Sequence, residues 1–215
     1  MKKYLILLMM AAAVVTFCAC SPDKGNEQEA PGSETPEAPD EPGNPEEPGE
    51  TPGTPGGDSK ILVAYFSWGG TTQRMAQEIV RQTEADIFRI ESATPYPTEY
   101  TPCTEVALEE KNSNARPAIK DKIENWKDYD VVFIGCPVWW WTTPMIIHTF
   151  CESYDFNGKT VVPFCTYAST YRDETLAEIV NSTPDAAHLT GEGLTSGRIN
   201  EQNIASWLKE IGAIK

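Results

Sequence analysis

Two short segments of the 215-residue sequence carry side chains whose types and spacing could do chemistry. The first is "SWGGTT" over residues 67–72, in which a serine, two glycines and two threonines precede a helical pattern. Glycines let the backbone turn sharply, and the amides at a helix start favour an anion. The segment therefore suits a phosphate, and it equally suits an ordinary loop with good helix-capping residues.

The second segment is "CPVWWWTTP" over residues 136–144, in which three tryptophans stand in a row. Neighbouring side chains of an extended segment point to opposite faces, so the three cannot all enter one core. A flat ring could pack beside them, with the hydroxyls of Thr142 and Thr143 at its polar edge. In the alternative interpretation, two tryptophans close the end of a sheet and the third lies on the surface.

Other chemistries lack the residues that they need. No lysine follows the glycines of residues 67–72, as a Walker-type nucleotide loop requires. A serine hydrolase needs a histidine partner and a G-x-S-x-G elbow, but the chain has only His148 and His188 and no such elbow. A response regulator needs an aspartate after its third strand, where this chain has Cys136. These three classes of protein are therefore excluded.

Short apolar runs alternate with helical patterns along residues 60–215. The runs predict strands at residues 60–67, 86–91, 130–136, 160–168 and 186–190. Helical spacing of apolar residues predicts helices at residues 71–84, 103–114, 144–154, 172–181 and 200–212. Strands that are apolar on both faces indicate a doubly wound α/β fold with a parallel sheet. Ligands of such sheets lie beyond the carboxyl ends of the strands, so function is expected after Phe66, Cys136 and Tyr167.

The start of the chain is predicted to direct export. Residues 1–19 combine two lysines, a short apolar run and small residues, which is typical of a secretory signal. Cys20, which follows an alanine, resembles the lipidation site of bacterial lipoproteins. That resemblance implies an exported protein, lipid-anchored to a bacterial cell membrane and either periplasmic or surface-exposed. A plain secreted protein that is cut nearby is the alternative.

Residues 20–59 are predicted to form a disordered tether. They hold nine of the 17 prolines and eleven acidic residues, and such a composition cannot build a core. Residues 60–215 remain as one domain of ample size for a core. The domain stays acidic within a whole-chain net charge of −15, which argues against nucleic acid as a partner. Its four cysteines have no metal-binding spacing and are expected to be buried thiols.

The sequence resembles a known family over most of this domain. Residues 60–80, "KILVAYFSWGGTTQRMAQEIV", are similar to the opening of the flavodoxin family, especially its bacterial flavodoxin-like lipoprotein branch. The similarity continues through residues 89–100, 115–120, 129–144 and 150–166. The resemblance implies a flavodoxin-like three-layer α/β sandwich with FMN as cofactor. Its five-stranded parallel sheet would have the order 2-1-3-4-5. In that order the first and third strands, which precede residues 67–72 and 136–144, are neighbours.

The resemblance also implies which residues hold FMN. The phosphate would contact Ser67, Gly69, Gly70, Thr71 and Thr72. The ring would lie beside Pro137, Trp139, Trp140, Trp141, Thr142 and Thr143. The loop with Thr166, Tyr167 and Ala168 would close the other side. No side chain is implied as a catalytic acid or base, and no metal ligand is predicted.

Five residues depart from the family pattern. Trp68 and Gly69 stand where arginine and threonine are usual, which predicts weaker phosphate binding. Trp141 stands where glycine is usual, and Tyr167 and Tyr171 bring bulk to a loop that is usually rich in serine and glycine. These three aromatic side chains could stack on the ring or fill its pocket.

Three functions follow as hypotheses. The first is an FMN-dependent redox carrier of the flavodoxin type, whose partner is a membrane redox protein or a quinone within reach of the tether. The second is an NAD(P)H-dependent quinone or flavin reductase, which export disfavours because pyridine nucleotides are scarce outside the cytoplasm. The third is a lipid-anchored binding module that has lost FMN.

Overall fold

The structure is a computed structural model, and it describes residues 59–215. The predicted signal at residues 1–19, the lipidation site Cys20 and all but the last residue of the tether lie outside the described residues. Within residues 59–215, no helix has both the length and the apolar character to cross a membrane. In the same range, no group of histidine, cysteine and acidic side chains could hold a metal ion.

Strands and helices alternate through the described residues. The strands are β1 Ile61–Tyr65, β2 Asp86–Arg89, β3 Val131–Pro137, β4 Thr160–Thr166, β5 Ala187–His188 and β6 Glu192–Leu194. The helices are α1 Thr71–Thr83, α2 Tyr100–Asn112, α3 Met145–Ser153, α4 Arg172–Asn181 and α5 Glu201–Glu210. All strand pairs are parallel, and the sheet order is β2-β1-β3-β4-β5, with β6 also paired to β4. The predicted three-layer α/β fold and its 2-1-3-4-5 order are confirmed.

Two apolar layers cover the sheet, one on each face. Alternate residues of β1 face opposite layers: Val63 packs with α1 and α5, and Leu62 packs with α3. Burial of one such aliphatic side chain contributes about 1.5–3 kcal/mol to folding. The sandwich therefore fixes the positions of β1, β3 and β4, and with them the points at which the loops at their carboxyl ends begin. The four cysteines of the domain are free and buried, as predicted.

The fifth strand of the sheet is split, whereas residues 186–190 were predicted as one strand. β5 pairs with Val161, and β6 pairs with β4 from Phe164 onward. Pro163 lies between them and has no N–H to give to a neighbouring strand. A Cβ added at Gly191 would lie 2.6 Å from the carbonyl oxygen of Pro163, so the chain passes too close for a side chain. The prediction missed β6 because a strand of three residues gives no recognisable periodic pattern.

Helix α2 begins earlier than the sequence pattern indicated. The prediction placed a proline-rich loop up to residue 102 and a helix from Cys103, but the helix begins at Tyr100. Pro102 then lies in the first helical turn, where proline is tolerated because the amides there have no intrahelical partner. This earlier start brings the first turns of α2 beside the loops that follow β1 and β3.

Candidate functional site

Two adjoining cavities lie at the carboxyl edge of β1, β3 and β4. The first, here called the loop cavity, has a volume of about 630 Å³ and includes residues of the loops after all three strands. The second, the aromatic cavity, has a volume of about 400 Å³ and includes residues of α2. The two cavities share walls made by Trp68, Tyr100, Val138, Trp139 and Ala168. They therefore form one groove with two compartments.

The glycine loop forms the floor of the loop cavity. Gly70 has a φ of 83°, a left-handed conformation that glycine adopts without strain. Its N–H donates to the hydroxyl of Ser67 at 3.1 Å, and α1 begins at the next residue. A Cβ at Gly69 or Gly70 would meet no atom within 4 Å, so the loop borders open space. The start of α1 thus faces a space that an anion could occupy.

Two polar contacts fix the sides of the loop cavity. The hydroxyls of Thr72 and Thr166 lie 2.7 Å apart and are buried, which joins the start of α1 to the end of β4. The guanidinium of Arg74 donates to the carbonyl oxygen and the hydroxyl of Ser196, at 3.1 Å and 2.8 Å. Arg74 thereby holds the segment that follows β6 against the cavity.

The three tryptophans after β3 occupy a tight hairpin. Trp139 and Thr142 exchange two backbone hydrogen bonds of 2.9 Å and 3.1 Å. The two residues between them, Trp140 and Trp141, have φ angles of 44° and 73°. This is the geometry of a two-residue type I′ turn, which normally has Asn-Gly at these positions. Each non-glycine residue held there costs about 1–3 kcal/mol of strain, so the turn needs support from its surroundings.

Each tryptophan of the hairpin has a different environment. Trp139 is half-buried and meets the ring of Phe66 edge-on, with centroids 5.1 Å apart. The indole N–H of Trp140 donates to the carbonyl oxygen of Thr104 in α2 at 2.8 Å. Trp141 is 55% exposed, and its centroid lies 6.1 Å from that of Tyr171. The hairpin thus uses one tryptophan for packing, one as an anchor and one as a wall of the cavity.

Exposed aromatic side chains surround the aromatic cavity. Among the described residues, five large hydrophobic side chains are exposed, and all but Ile87 line this cavity: Trp68, Tyr100, Trp141 and Tyr171. Exposed aromatic groups that gather around one cavity mark a binding site more often than a packing defect. The groove therefore combines an anion compartment with a compartment suited to a flat ring.

Comparison of the sequence with models of protein families identifies the family of this chain. Residues 60–211 match the model of the flavodoxin family. The chain belongs to the flavodoxin family. The predicted resemblance is confirmed at that level, and the lipoprotein branch of the family stays a prediction.

Solved structures agree with this family membership. A protein described as a flavoprotein from Bacteroides eggerthii superposes with a TM-score of 0.64 and 39% identity, over 74% of this chain and 100% of that chain. Another, from Bacteroides uniformis, has a TM-score of 0.63 and 32% identity, over 70% and 98%. A flavoprotein from Lactobacillus acidophilus, solved in complex with FMN, shares the fold with a TM-score of 0.58 and 21% identity, over 69% and 98%. No curated protein matches the sequence.

The structure of this flavodoxin brings most of the predicted site residues together. The loop cavity is lined by Ser67, Gly69, Thr71, Thr72, Pro137, Trp139, Thr166, Tyr167 and Ala168. Trp140 and Trp141 line the aromatic cavity. Three predicted residues line neither cavity: Gly70 precedes α1 and donates its N–H to Ser67, Thr142 closes the hairpin, and Thr143 bonds to His148.

Sequence reasoning missed two parts of the groove. From α2 it missed Tyr100, Cys103, Thr104 and Ala107, and from the segment after β6 it missed Thr195, Ser196 and Gly197. Tyr100 was missed because the start of α2 was assigned to a loop. Cys103, Thr104 and Ala107 were within the predicted helix, but its pattern does not show that it lies against the edge of the sheet. The second set was missed with β6 itself, since a strand end at the carboxyl edge of the sheet would have pointed to residues 195–197.

His148 supports the base of the tryptophan hairpin, and its pKa predicts a pH effect. Its ring nitrogens lie 3.1 Å from the hydroxyl of Thr143 and 3.2 Å from that of Ser182. Burial lowers the pKa of His148, with Glu178 acting in the opposite direction. The unfolded chain then binds a proton more readily than the folded chain, so stability falls as the pH drops from about 6.5, the pKa of a free histidine, toward the folded pKa.

We expect His148→Gln to remove this part of the pH dependence, because a neutral amide keeps polar contacts and does not titrate. One proton can change the free energy of unfolding by at most about 1.4 kcal/mol per pH unit. Urea denaturation of the wild type, of His148→Gln and of His188→Gln between pH 5 and 7 measures the effect. His188→Gln is a comparison and not a neutral control, because burial lowers the pKa of His188 as well and its replacement should remove a separate part of the pH dependence. If the free energy of unfolding changes equally with pH in the wild type and in His148→Gln, His148 is not a source of the pH dependence.

Proposed function

We propose that this flavodoxin binds FMN in the two-compartment groove and carries electrons through it. The main support for this proposal is that the loop cavity, with its open glycine loop, and the aromatic cavity lie side by side and share walls. FMN has an anionic tail joined to a flat ring, so it matches both compartments at once. The relative from Lactobacillus acidophilus, which shares the fold, was solved with FMN.

The residues of the loop cavity fit a phosphate that is held without a cation. Among the described residues, no lysine or arginine lines this cavity. Its donors are the hydroxyls of Ser67 and Thr71 and the amides at the start of α1, which point toward anions by the orientation of the helix. Hydrogen bonds from fixed amides need no reorganisation when the phosphate binds. This supports binding despite the tryptophan and glycine that replace the usual arginine and threonine.

The aromatic side chains line the groove rather than fill it. Trp141 and Tyr171 stand at the walls of a cavity of about 400 Å³, which is within the range of cofactor pockets. Tyr167 lies in the wall of the loop cavity, so it too leaves room. This favours FMN binding over the hypothesis of a module that has lost its cofactor.

FMN would supply the redox chemistry, and the protein would position it and set its potential. The chain carries a net charge of −15, and negative charge opposes the arrival of further electrons by Coulomb repulsion. Tyr100 and Trp141 line the aromatic cavity and are both exposed, so this part of the groove reaches solvent. An open edge suits electron transfer to a partner that docks over it.

We also propose that Cys20 is lipidated and that the tether lets the domain reach a membrane redox protein or a quinone. The composition of residues 1–59 supports this part of the proposal. Labelling of cells with a palmitate analogue tests it, because the label should reach the wild type and not Cys20→Ser. Label on both proteins, or on neither, would refute lipidation at this residue.

Reconstitution with FMN is the central test of the proposed function. We expect purified protein to bind FMN with a Kd of about 1 µM or tighter, a binding free energy of about 8 kcal/mol. Quenching of flavin fluorescence and the visible spectrum measure binding. Absence of bound flavin at tens of micromolar would refute the proposal. Oxidation of NADH with a quinone acceptor then separates a reductase from a carrier, since only a reductase consumes the nucleotide.

A further inference from the structure

Helix α2 holds the strained tryptophan turn at two points. The ammonium of Lys111 donates to the carbonyl oxygen of Trp140 at 2.6 Å. About two turns earlier in the helix, the carbonyl oxygen of Thr104 accepts the indole N–H of Trp140 at 2.8 Å. The same ammonium lies 4.8 Å from the centroid of the Trp141 ring, within range of a cation–π contact. Lys111 therefore touches both residues of the turn.

The turn has few other contacts to compensate for its strain. Both central residues are left-handed, with φ of 44° and 73°, and neither is glycine. Trp141 is more than half exposed, so burial contributes little to its position. Its ring neighbours are Trp140, at a centroid distance of 5.9 Å, and Tyr171, at 6.1 Å. A charge-assisted hydrogen bond contributes about 1.5–3 kcal/mol, which is comparable to the strain of one such residue.

The charge of Lys111 is directed at this turn alone. Within residues 59–215, all the ion pairs of 4.0 Å or less involve other cations, although the chain is strongly acidic. A lysine that pairs with no carboxylate in the described part of an acidic protein, and that contacts a strained turn instead, is placed to hold that turn.

We propose that Lys111 is a positioning residue of the cofactor groove. Its ammonium fixes the Trp140–Trp141 turn in the left-handed conformation, and so keeps the indole of Trp141 as the outer wall of the aromatic cavity. The effect on FMN rests on the proposed function, because it is through Trp141 that Lys111 would act on the flavin ring. The effect on the turn is independent of any ligand.

Binding of FMN measures the first effect. We expect Lys111→Met, which keeps the aliphatic stem and removes the charge, to weaken FMN binding by about tenfold. Lys111→Arg keeps a cationic donor and should stay within about threefold of the wild type. Lys122→Met removes the same charge at an exposed position outside the groove and is the matched control. Equal affinities for Lys111→Met and Lys122→Met would overturn the proposal.

A variant of the turn separates positioning from charge. Glycine adopts a φ of 73° without strain, so Trp141→Gly removes the strain at this residue together with the ring that Lys111 contacts. In the Trp141→Gly background, Lys111→Met should change FMN affinity by less than about twofold, because the ring through which Lys111 acts is already absent. Such a non-additive result is expected of two residues that act together. The same tenfold loss in both backgrounds would mean that Lys111 acts through its charge on the cofactor, and would overturn the positioning role.

A measurement without FMN keeps this proposal distinct from the proposed function. Hydrogen exchange of the Trp140 indole N–H, followed by NMR, reports whether that group still donates to Thr104. We expect exchange in Lys111→Met to be at least about tenfold faster than in the wild type and in Lys122→Met. If the wild type binds no FMN and this acceleration appears, the proposed function fails and the role of Lys111 in the turn stands. Unchanged exchange would overturn that role.

Discussion

Replacement of Gly70 by aspartate is expected to weaken FMN binding by at least about a hundredfold. The loop at this residue borders open space, since an added Cβ would meet nothing within 4 Å. The new carboxylate can therefore be accommodated, and it would stand between Gly69 and Thr71, which line the compartment assigned to the phosphate. Two unit charges about 5 Å apart repel each other by about 3 kcal/mol at an effective dielectric constant of about 20, which corresponds to about two powers of ten in Kd.

Gly70→Asn is the matched control for this prediction. Asparagine has the shape of aspartate without its charge, and it tolerates the left-handed φ of 83° better than most residues. We expect its loss of affinity to stay below about tenfold. Titration of flavin fluorescence compares the two variants with the wild type. If both variants lose affinity equally, backbone strain is the cause, and if aspartate changes nothing, the loop does not hold the phosphate.

Replacement of Gly135 by alanine is expected to destabilise the domain by about 3 kcal/mol or more. Gly135 lies within β3, and an added Cβ would lie 2.0–2.4 Å from three ring carbons of Phe164 on the neighbouring strand. Phe164 is fully buried, so its ring has no space into which it can move. Overpacking of a well-packed core costs about 1–3 kcal/mol and more where the neighbours cannot yield. Urea denaturation at neutral pH measures the loss.

A double variant tests the cause of that loss. Phe164→Leu removes the ring atoms that would clash, at a cost of its own of about 1–3 kcal/mol. Together with Gly135→Ala, it should cost clearly less than the sum of the two single variants, because the clash is shared. Gly197→Ala is the control for the introduction of a methyl group, since its Cβ would meet nothing within 4 Å. Additive losses would show that the ring of Phe164 is not the obstacle.

Much of this fold could be predicted because its strands have unambiguous patterns. Continuous apolar runs identified β1, β3 and β4, and helical spacing of residues such as Met75 and Ile79 identified α1. The strand order came from the family resemblance and not from the periodicity. The start of α2 and the short β6 could not be predicted from local patterns, because Pro102 lies in the first turn of α2 and β6 is three residues long.

The candidate site was predictable only where it follows a strand. Ser67 and Trp139 were placed correctly at the sheet edge because the loops after β1 and β3 are continuous with identified strands. Tyr100 lines the groove and Lys111 contacts the tryptophan hairpin, and both come from α2, a helix whose amphipathic pattern is weak. No spacing rule connects Lys111 to the carbonyl oxygen of Trp140, since the contact depends on how α2 lies beside the hairpin.

The split fifth strand also affects how this sheet can meet other chains. Unpaired backbone groups along a long, flat edge strand are a template for pairing with another polypeptide. Here the edge strand β2 has four residues and exposes Asp86 and Arg89, while the opposite edge is interrupted between β5 and β6. Neither edge offers a long row of free N–H and C=O groups. The break opposite Pro163, together with the short β2, thus leaves no long edge strand among the described residues on which a second chain could pair.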